Sequence, residues 1–386
     1  MSTVVNFPEL GWSFTVNRVA FSIGGFDVYW YGILIGVGLL LGIWYALSHA
    51  REFGIDSDRM LDVIIVGTIF GIVGARLYYV IFAAPGEFTT FADVLDMRKG
   101  GVAFYGMVIG ALLSAIVTCK VRKVKLLPMV DVATIGFLIG QGIGRWGNFI
   151  NQEAFGTNTA LPWGMTSDTV TRYLTAHAEE LAAHGIFVDP NMAVHPTFLY
   201  ESLWCLLGFI VLSRFVKKRR FDGEIALMYF AWNGFGRAFI EGLRTDSLYW
   251  GSVRISQLLA VFGAFASILV ILVIRSKIKK KKDPEFLKPY GRTEACAEEL
   301  AALAALRDSK KKGAGDKAGE ESGEEELPVK PSIAAGVKSK AVIPVISEKT
   351  EKARAEKAQT GGEPSDEPEA PSEKEQDAKP DDNKGE

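Results

Sequence analysis

Apolar residues run in long unbroken stretches over most of this chain and then stop. Seven stretches read as membrane-crossing helices: 28–48, 60–84, 101–119, 128–146, 196–216, 223–241 and 253–275. Each is long enough to cross ~30 Å of hydrocarbon at about 1.5 Å per residue. Backbone polar groups have no water partners there, which favours helices as spanning elements. The expected fold is therefore an all-α polytopic membrane protein. Residues 1–282 make the seven-helix membrane domain, and 147–195 make a long extracytoplasmic segment within it. In that segment, 171–184 reads as an amphipathic helix suited to lying on the membrane surface. Residues 21–28 read as a small hairpin turning at Gly24-Gly25. The opening 27 residues carry Glu9 and Asp27 and no apolar run of signal-peptide type, so no signal peptide is expected.

Charge changes this picture at one boundary. From 283 to 386 the chain is dominated by Lys, Glu, Asp, Pro, Gly and Ala, so the net charge of -2 hides a strong segregation. Such a composition does not bury enough apolar surface to offset ordering entropy. A low-complexity charged tail is expected, with a short helix over 297–306 and disorder beyond it. Basic clusters set orientation. Lys120, Arg122, Lys123 and Lys125 follow the third span, Lys217 to Arg220 follow the fifth, and Arg275, Lys277 and Lys279 to Lys282 follow the seventh. The positive-inside rule then puts the N-terminus outside and the tail in the cytoplasm. The three cysteines, Cys119, Cys205 and Cys296, have no metal or redox spacing.

With that orientation each polar residue in a span acquires a depth. Tyr31, Tyr105 and Glu201 fall in the first turns of inward-running spans, roughly 5–8 Å from the outer edge. Arg76, Arg145 and Arg237 come late in outward-running spans, roughly 20–26 Å from the inner edge. The inner half reads as almost free of charge. Asn233, Arg237 and Glu241 share a stripe at i, i+4, i+8, and Gln141 with Arg145 repeats the spacing. Charges at such depth need partners or a cavity. A transporter would need polar groups at the midplane and broken helices in matching halves, and a scaffold needs no buried cations. A site in the outer leaflet fits the placement better. Small-xxx-small pairs at Gly32/Gly36, Gly67/Gly71, Gly106/Gly110, Gly136/Gly140 and Gly140/Gly144 suit close helix contacts, while Gly100, Gly101 and Gly106 around Tyr105 suit a ligand's approach.

Guanidinium groups at that depth suit a phospholipid headgroup. Arginine makes planar bidentate bonds to phosphate and keeps its charge when desolvated. The same donors would absorb charge on a departing phosphate.

The run Gly144-Arg145-Trp146-Gly147-Asn148-Phe149-Ile150-Asn151-Gln152-Glu153 resembles the signature of the bacterial prolipoprotein diacylglyceryl transferase family. Trp30-Tyr31-Gly32, Gly74-Ala75-Arg76, His195-Pro196-Thr197-Phe198-Leu199-Tyr200-Glu201 and Gly236-Arg237-Ala238-Phe239-Ile240-Glu241 add shorter matches in order, from about 20 to 275. The resemblance implies a multi-pass enzyme of the bacterial plasma membrane whose site faces the extracytoplasmic leaflet. It would move the diacylglyceryl group of phosphatidylglycerol onto the lipobox cysteine of a prolipoprotein. A thioether forms and glycerol-1-phosphate leaves, with no metal, nucleotide cofactor or nucleic acid involved.

By the same resemblance, Arg145 and Arg237 hold the phosphate and Asn148 and Asn151 complete the donor set. Glu153 and Glu241 orient those arginines or accept protons, and Tyr31 bonds the headgroup. Arg76 joins the lipid-binding set or pairs structurally, and His195 and Glu201 shape the outer rim. Many members have a histidine, proposed as base, where this chain has Tyr105. With an ordinary pKa near 10, tyrosine is a poor base at neutral pH. Tyr105 is either a perturbed phenolate, a positioning group, or not involved in proton transfer. Positioning is favoured, the proton going to Glu153, Glu241 or the leaving phosphate.

Overall fold

A computed structural model describes residues 2–84, 87, 88, 90–96, 100–245, 249, 250 and 253–320. The chain opens with two hairpins. β1 (Ser2–Phe7) pairs antiparallel with β2 (Trp12–Asn17), and β3 (Val19–Ile23) with β4 (Phe26–Tyr29). The second turns at Gly24-Gly25 as expected, both with positive φ, a turn that glycine enters without a Cβ clash. The first hairpin was not expected. Helices α1 (Trp30–His49), α2 (Ser57–Phe82), α3 (Phe91–Leu95), α4 (Phe104–Val121) and α5 (Leu126–Asn151) follow. A short strand, β5 (Thr166–Ser167), leads into α6 (Asp168–Ala183), and then come α7 (Thr197–Phe215) and α8 (Glu224–Glu241). A two-residue pair, β6 (Tyr249–Trp250) with β7 (Val253–Arg254), precedes α9 (Ile255–Lys281), and α10 (Glu294–Glu320) closes the described chain.

Among the described residues, six helical segments are long and apolar enough to cross a membrane: Trp30–Phe53, Ser57–Phe82, Phe104–Val121, Leu126–Asn151, Thr197–Lys218 and Ile255–Lys281. Seven were expected. The remaining one, α8, carries Glu224, Arg237 and Glu241, which cuts its apolar character. It buries half its residues, packed against α9, α7 and α5, and leaves Phe230 and Phe239 exposed. The outward faces of the other helices are apolar too, with Leu40, Ile81 and Phe262 more than half exposed. A soluble protein would bury such residues; lipid accepts them.

Glycine seams join the helices. Against α5, a Cβ on Gly38 would come within 3.0 Å of the Gly140 Cα, and one on Gly42 within 3.2 Å of the Gly136 carbonyl. Against α4, a Cβ on Gly74 would lie 3.0 Å from the Gly110 Cα. Backbones this close replace the hydrophobic attraction that lipid removes. Gly32 and Gly36 were expected on such a seam, but they face open space. The α1 seam sits one turn further along.

Beyond the C-terminal end of α5 lies a small cap. β5 adds to β1, and α6 lays Val170, Leu174 and Leu181 into a core with Val5, Phe155, Met165, Val194 and Phe198. The amphipathic face expected on the membrane surface is thus spent on the cap's interior. At the opposite end, where little charge was expected, Asp131 is fully buried and accepts bonds from the Gly223 and Ala226 amides, 2.8 Å each. A helix start has free N–H groups, and buried ones require an acceptor. Beside it, buried Glu224 accepts from Arg275 Nε at 2.6 Å, and Arg219 lies over the Phe53 ring and donates to the Glu52 carbonyl.

The residues just past α9 turn back onto this end. The Tyr290 amide donates to Asp222, Arg292 donates to the carbonyls of Val216, Lys217 and Arg219, and Arg59 meets Glu299 at 2.7 Å. Arg307 reaches Asp56 and Asp58. The helix expected over 297–306 is present but runs on to Glu320 as part of α10, where disorder had been expected from 307; residues 321–386 lie outside the described ones.

Candidate active site

Two features of sequence build the centre. The i, i+4 spacing on α8 sets Arg237 Nε 2.8 Å from Glu241 Oε2. On α7, Glu201 sits one turn into the helix and is 8 % exposed. Its carboxylate meets three guanidinium groups: Arg145 Nε on Oε2, Arg244 Nη1 on Oε1 at 3.2 Å, and Arg237 Nη1 on Oε1 at 3.9 Å. A lone buried cation is costly; here each has a carboxylate partner. Neighbouring polar groups complete the wall, with Asn233 donating to Gln141 at 3.2 Å.

Aromatic packing fixes the α7–α8 wall. Trp204 and Trp232 stack with centroids 4.5 Å apart, and each indole N–H donates to the other's carbonyl at 3.0 Å. Gly208 and Gly236 leave room for the two rings. Arg145, Glu201, Trp204, Asn233, Gly236 and Arg237 line a cleft of about 340 Å³, its open mouth included.

The signature residues lie on the last turn of α5. The helix ends at Gln152, whose φ of +52° turns the chain back so that the Glu153 amide bonds the Asn148 carbonyl at 3.1 Å. Glu153 Oε1 then accepts from Asn148 Nδ2 at 2.9 Å and Asn151 Nδ2 at 3.2 Å. Asn148 Oδ1 in turn accepts from Arg145 Nη1 at 3.4 Å. One polar chain thus runs from Glu153 to Glu201. The Tyr31 ring covers Gly147, where any side chain would collide with it.

Two expected residues lie apart from this cluster. Arg76 has five N–H donors, and all five reach main-chain carbonyls: Val94, Gly100, Gly101, Asp93 and Asp96, at 2.7 to 2.9 Å. A guanidinium so saturated has no donor left for a lipid phosphate, which corrects the expectation that it binds one. Tyr105 stands on the first turn of α4, 66 % exposed, with its ring edge against Phe104; among the described residues it makes no hydrogen bond. Gly106, expected to make room for a ligand, packs against α2 instead.

His195 Nδ1 and Tyr200 Oη are 3.1 Å apart, and Tyr200 accepts from Trp163 Nε1 at 2.7 Å. Burial lowers the His195 pKa from its ordinary value, so the ring is neutral at pH 7. Arg244 is the residue that sequence reasoning missed. Its position three after Glu241, at a helix end, was the available signal. Among the described residues no group of three or more potential metal-ligating side chains converges.

Comparison with known proteins gives this arrangement a context. A sequence model described as prolipoprotein diacylglyceryl transferase matches residues 18–273. A protein of Finegoldia magna named phosphatidylglycerol–prolipoprotein diacylglyceryl transferase is 42% identical over 269 residues, covering 69% of this chain and 100% of the relative. A namesake from Clostridium perfringens is 39% identical over 274 residues, 70% of this chain and 100% of the relative. One from Bacillus cereus is 40% identical over 262 residues, 67% and 93%. The match takes in α5 with its signature and α8, and it leaves out residues 1–17 and those after 273. The chain belongs to the prolipoprotein diacylglyceryl transferase family.

Proposed function

We propose that this protein transfers the diacylglyceryl group of phosphatidylglycerol to the lipobox cysteine thiol of prolipoproteins, at the outer leaflet of a bacterial plasma membrane. In this reading α8 crosses as the seventh span, the N-terminus and cap lie outside, and the basic end lies in the cytoplasm. Residues 1–282 are the transferase domain and 283–386 a cytoplasmic tail. The observation that carries the reading is the convergence of Arg145, Arg237 and Arg244 on one carboxylate, Glu201. Three guanidiniums held in one place form a ready cradle for a phosphodiester.

The reaction is a substitution at an sp³ carbon. The thiolate sulfur attacks the glyceryl carbon bearing the phosphate; a C–S bond forms, the C–O bond breaks, and glycerol-1-phosphate departs with the electron pair. Arg145 and Arg237 hold the phosphate and absorb the charge that grows on it. Glu241, fixed against Arg237, orients that guanidinium. Glu201 keeps the three cations together. Asn148 and Asn151 hold Glu153, which takes the thiol proton or relays it to the leaving phosphate. Tyr31, its ring against Gly147, borders the headgroup. Arg76 acts at a distance, by holding the connection before α4.

The test is purified protein in phosphatidylglycerol vesicles with a cysteine-bearing lipobox peptide, read by mass. The expected product carries one diacylglyceryl group, with one glycerol phosphate released per turnover. Arg237→Ala and Glu241→Gln should each lower turnover, the arginine change by about 10²–10³-fold as for other lost electrostatic donors, while the fold persists. An unmodified peptide in the presence of folded wild-type protein would refute the assignment.

A further inference from the structure

Gln152 holds a backbone conformation that its side chain disfavours. Its φ of +52° and ψ of +51° are left-handed, and the residue ends α5 where glycine or asparagine is usual. A non-glycine residue there brings its Cβ too close to the following carbonyl oxygen. Strain of this kind persists only where the surroundings over-determine it. Here they do. The side chain is 3 % exposed, and both ends of its amide are bonded: Nε2 donates to the Phe149 carbonyl at 2.5 Å, and Oε1 accepts from Ser167 Oγ at 2.8 Å. Ser167 is the N-cap of α6, its hydroxyl also accepting from the Val170 amide. α6 is in turn seated in the cap core. A second left-handed residue follows, Ala154 at φ +55°, its carbonyl bonded by Thr197 Oγ1 at the head of α7. Glu153 lies between them.

We propose that Gln152 is a positioning residue: through Ser167 it locks the reversed end of α5 so that Glu153 is aimed back at Asn148 and Asn151. Gln152 touches no reacting atom in this assignment, and the inference rests on the placement of Glu153 in the reaction. The left-handed residue supplies the reversal, and the side-chain amide supplies the tether. Glycine would supply the first without the second. The residue type therefore matters for a reason that backbone geometry alone does not explain. The tether also joins two parts of the fold, the end of a membrane helix and the start of a cap helix. The aim of Glu153 then depends on the cap being closed over the bundle.

Three substitutions separate backbone from tether. Gln152→Gly keeps the left-handed turn and removes the amide. Ser167→Ala removes the amide's partner, whereas Ser167→Thr keeps a hydroxyl. Each variant, with Glu153→Gln as reference, is assayed by kcat and KM for phosphatidylglycerol in the vesicle assay, with a thermal midpoint for the same preparation. The expected pattern is a drop in kcat of about tenfold for Gln152→Gly and for Ser167→Ala with KM within about twofold, the signature of an interaction acting in the transition state. The pair together should be no worse than either alone, because both break one tether. Ser167→Thr should restore the rate. Wild-type kcat in Gln152→Gly beside a crippled Glu153→Gln overturns the inference and leaves the role of Glu153 standing. Wild-type kcat in Glu153→Gln removes Glu153 from the reaction, and the inference with it. Losses that follow only the thermal midpoint, or that multiply in the double variant, also overturn it.

Discussion

Glu201 is the residue on which the site turns. It is nearly buried and pairs with arginines from three parts of the chain. Like-charged guanidiniums gathered at one spot repel, and a carboxylate among them makes the gathering affordable. A phosphodiester brings the same charge and similar geometry, so binding trades one anion's share of the arginines for another's. Tyr105 plays no comparable part. It is exposed and makes no hydrogen bond to a described residue. Tyr105→Phe should reduce turnover within about tenfold, well short of the roughly 10²–10⁴-fold attached to a general base. The vesicle assay measures this directly, and a loss of three orders of magnitude would return Tyr105 to proton transfer.

At the scale of elements, the seams decide which helices are free to move apart. α2 and α4 meet along Gly74, Gly106 and Gly110 with no room for a Cβ. Gly74→Leu should therefore destabilise the bundle by about 1–3 kcal/mol through overpacking, seen as a lower melting midpoint in detergent. An unchanged midpoint would mean the seam opens at no cost. The spans themselves were legible in the sequence, because some twenty apolar residues in a row have few other uses. α8 was legible for the same reason, although Glu224, Arg237 and Glu241 lower its apolar character. The face of α6 was visible too, yet an apolar stripe looks alike whether lipid or a protein core covers it. The partners of Glu201 were only half legible. Spacing on one helix announced Arg237 with Glu241, whereas Arg244 and Arg145 arrive from other elements, and only the fold brings them together. The β1–β2 hairpin was missed although its pairing is local: its strands are joined by the turn Pro8–Leu10 closed by Gly11, not by a two-residue glycine pair like the one that announced β3–β4.

The whole molecule is closed at both ends by parts outside the spans. The cap covers one end, and residues 290–307 clasp the other. The clasp lies beyond the residues matched by the family model, which end at 273. Arg292 adds three bonds to the carbonyls that end α7 and its following turn. Arg292→Ala should lower the thermal midpoint by ~2–4 °C while leaving kcat and KM at 25 °C unchanged; a changed KM for phosphatidylglycerol would tie the clasp to the distant site instead. The stacked indoles of Trp204 and Trp232, at the wall beside Arg237, have an optical consequence. Two chromophores so near share their excited states, so the pair should give a coupled band in near-ultraviolet circular dichroism that the other tryptophans do not. Its amplitude would follow any tilt of one ring against the other, offering a label-free view of the cradle as a headgroup arrives.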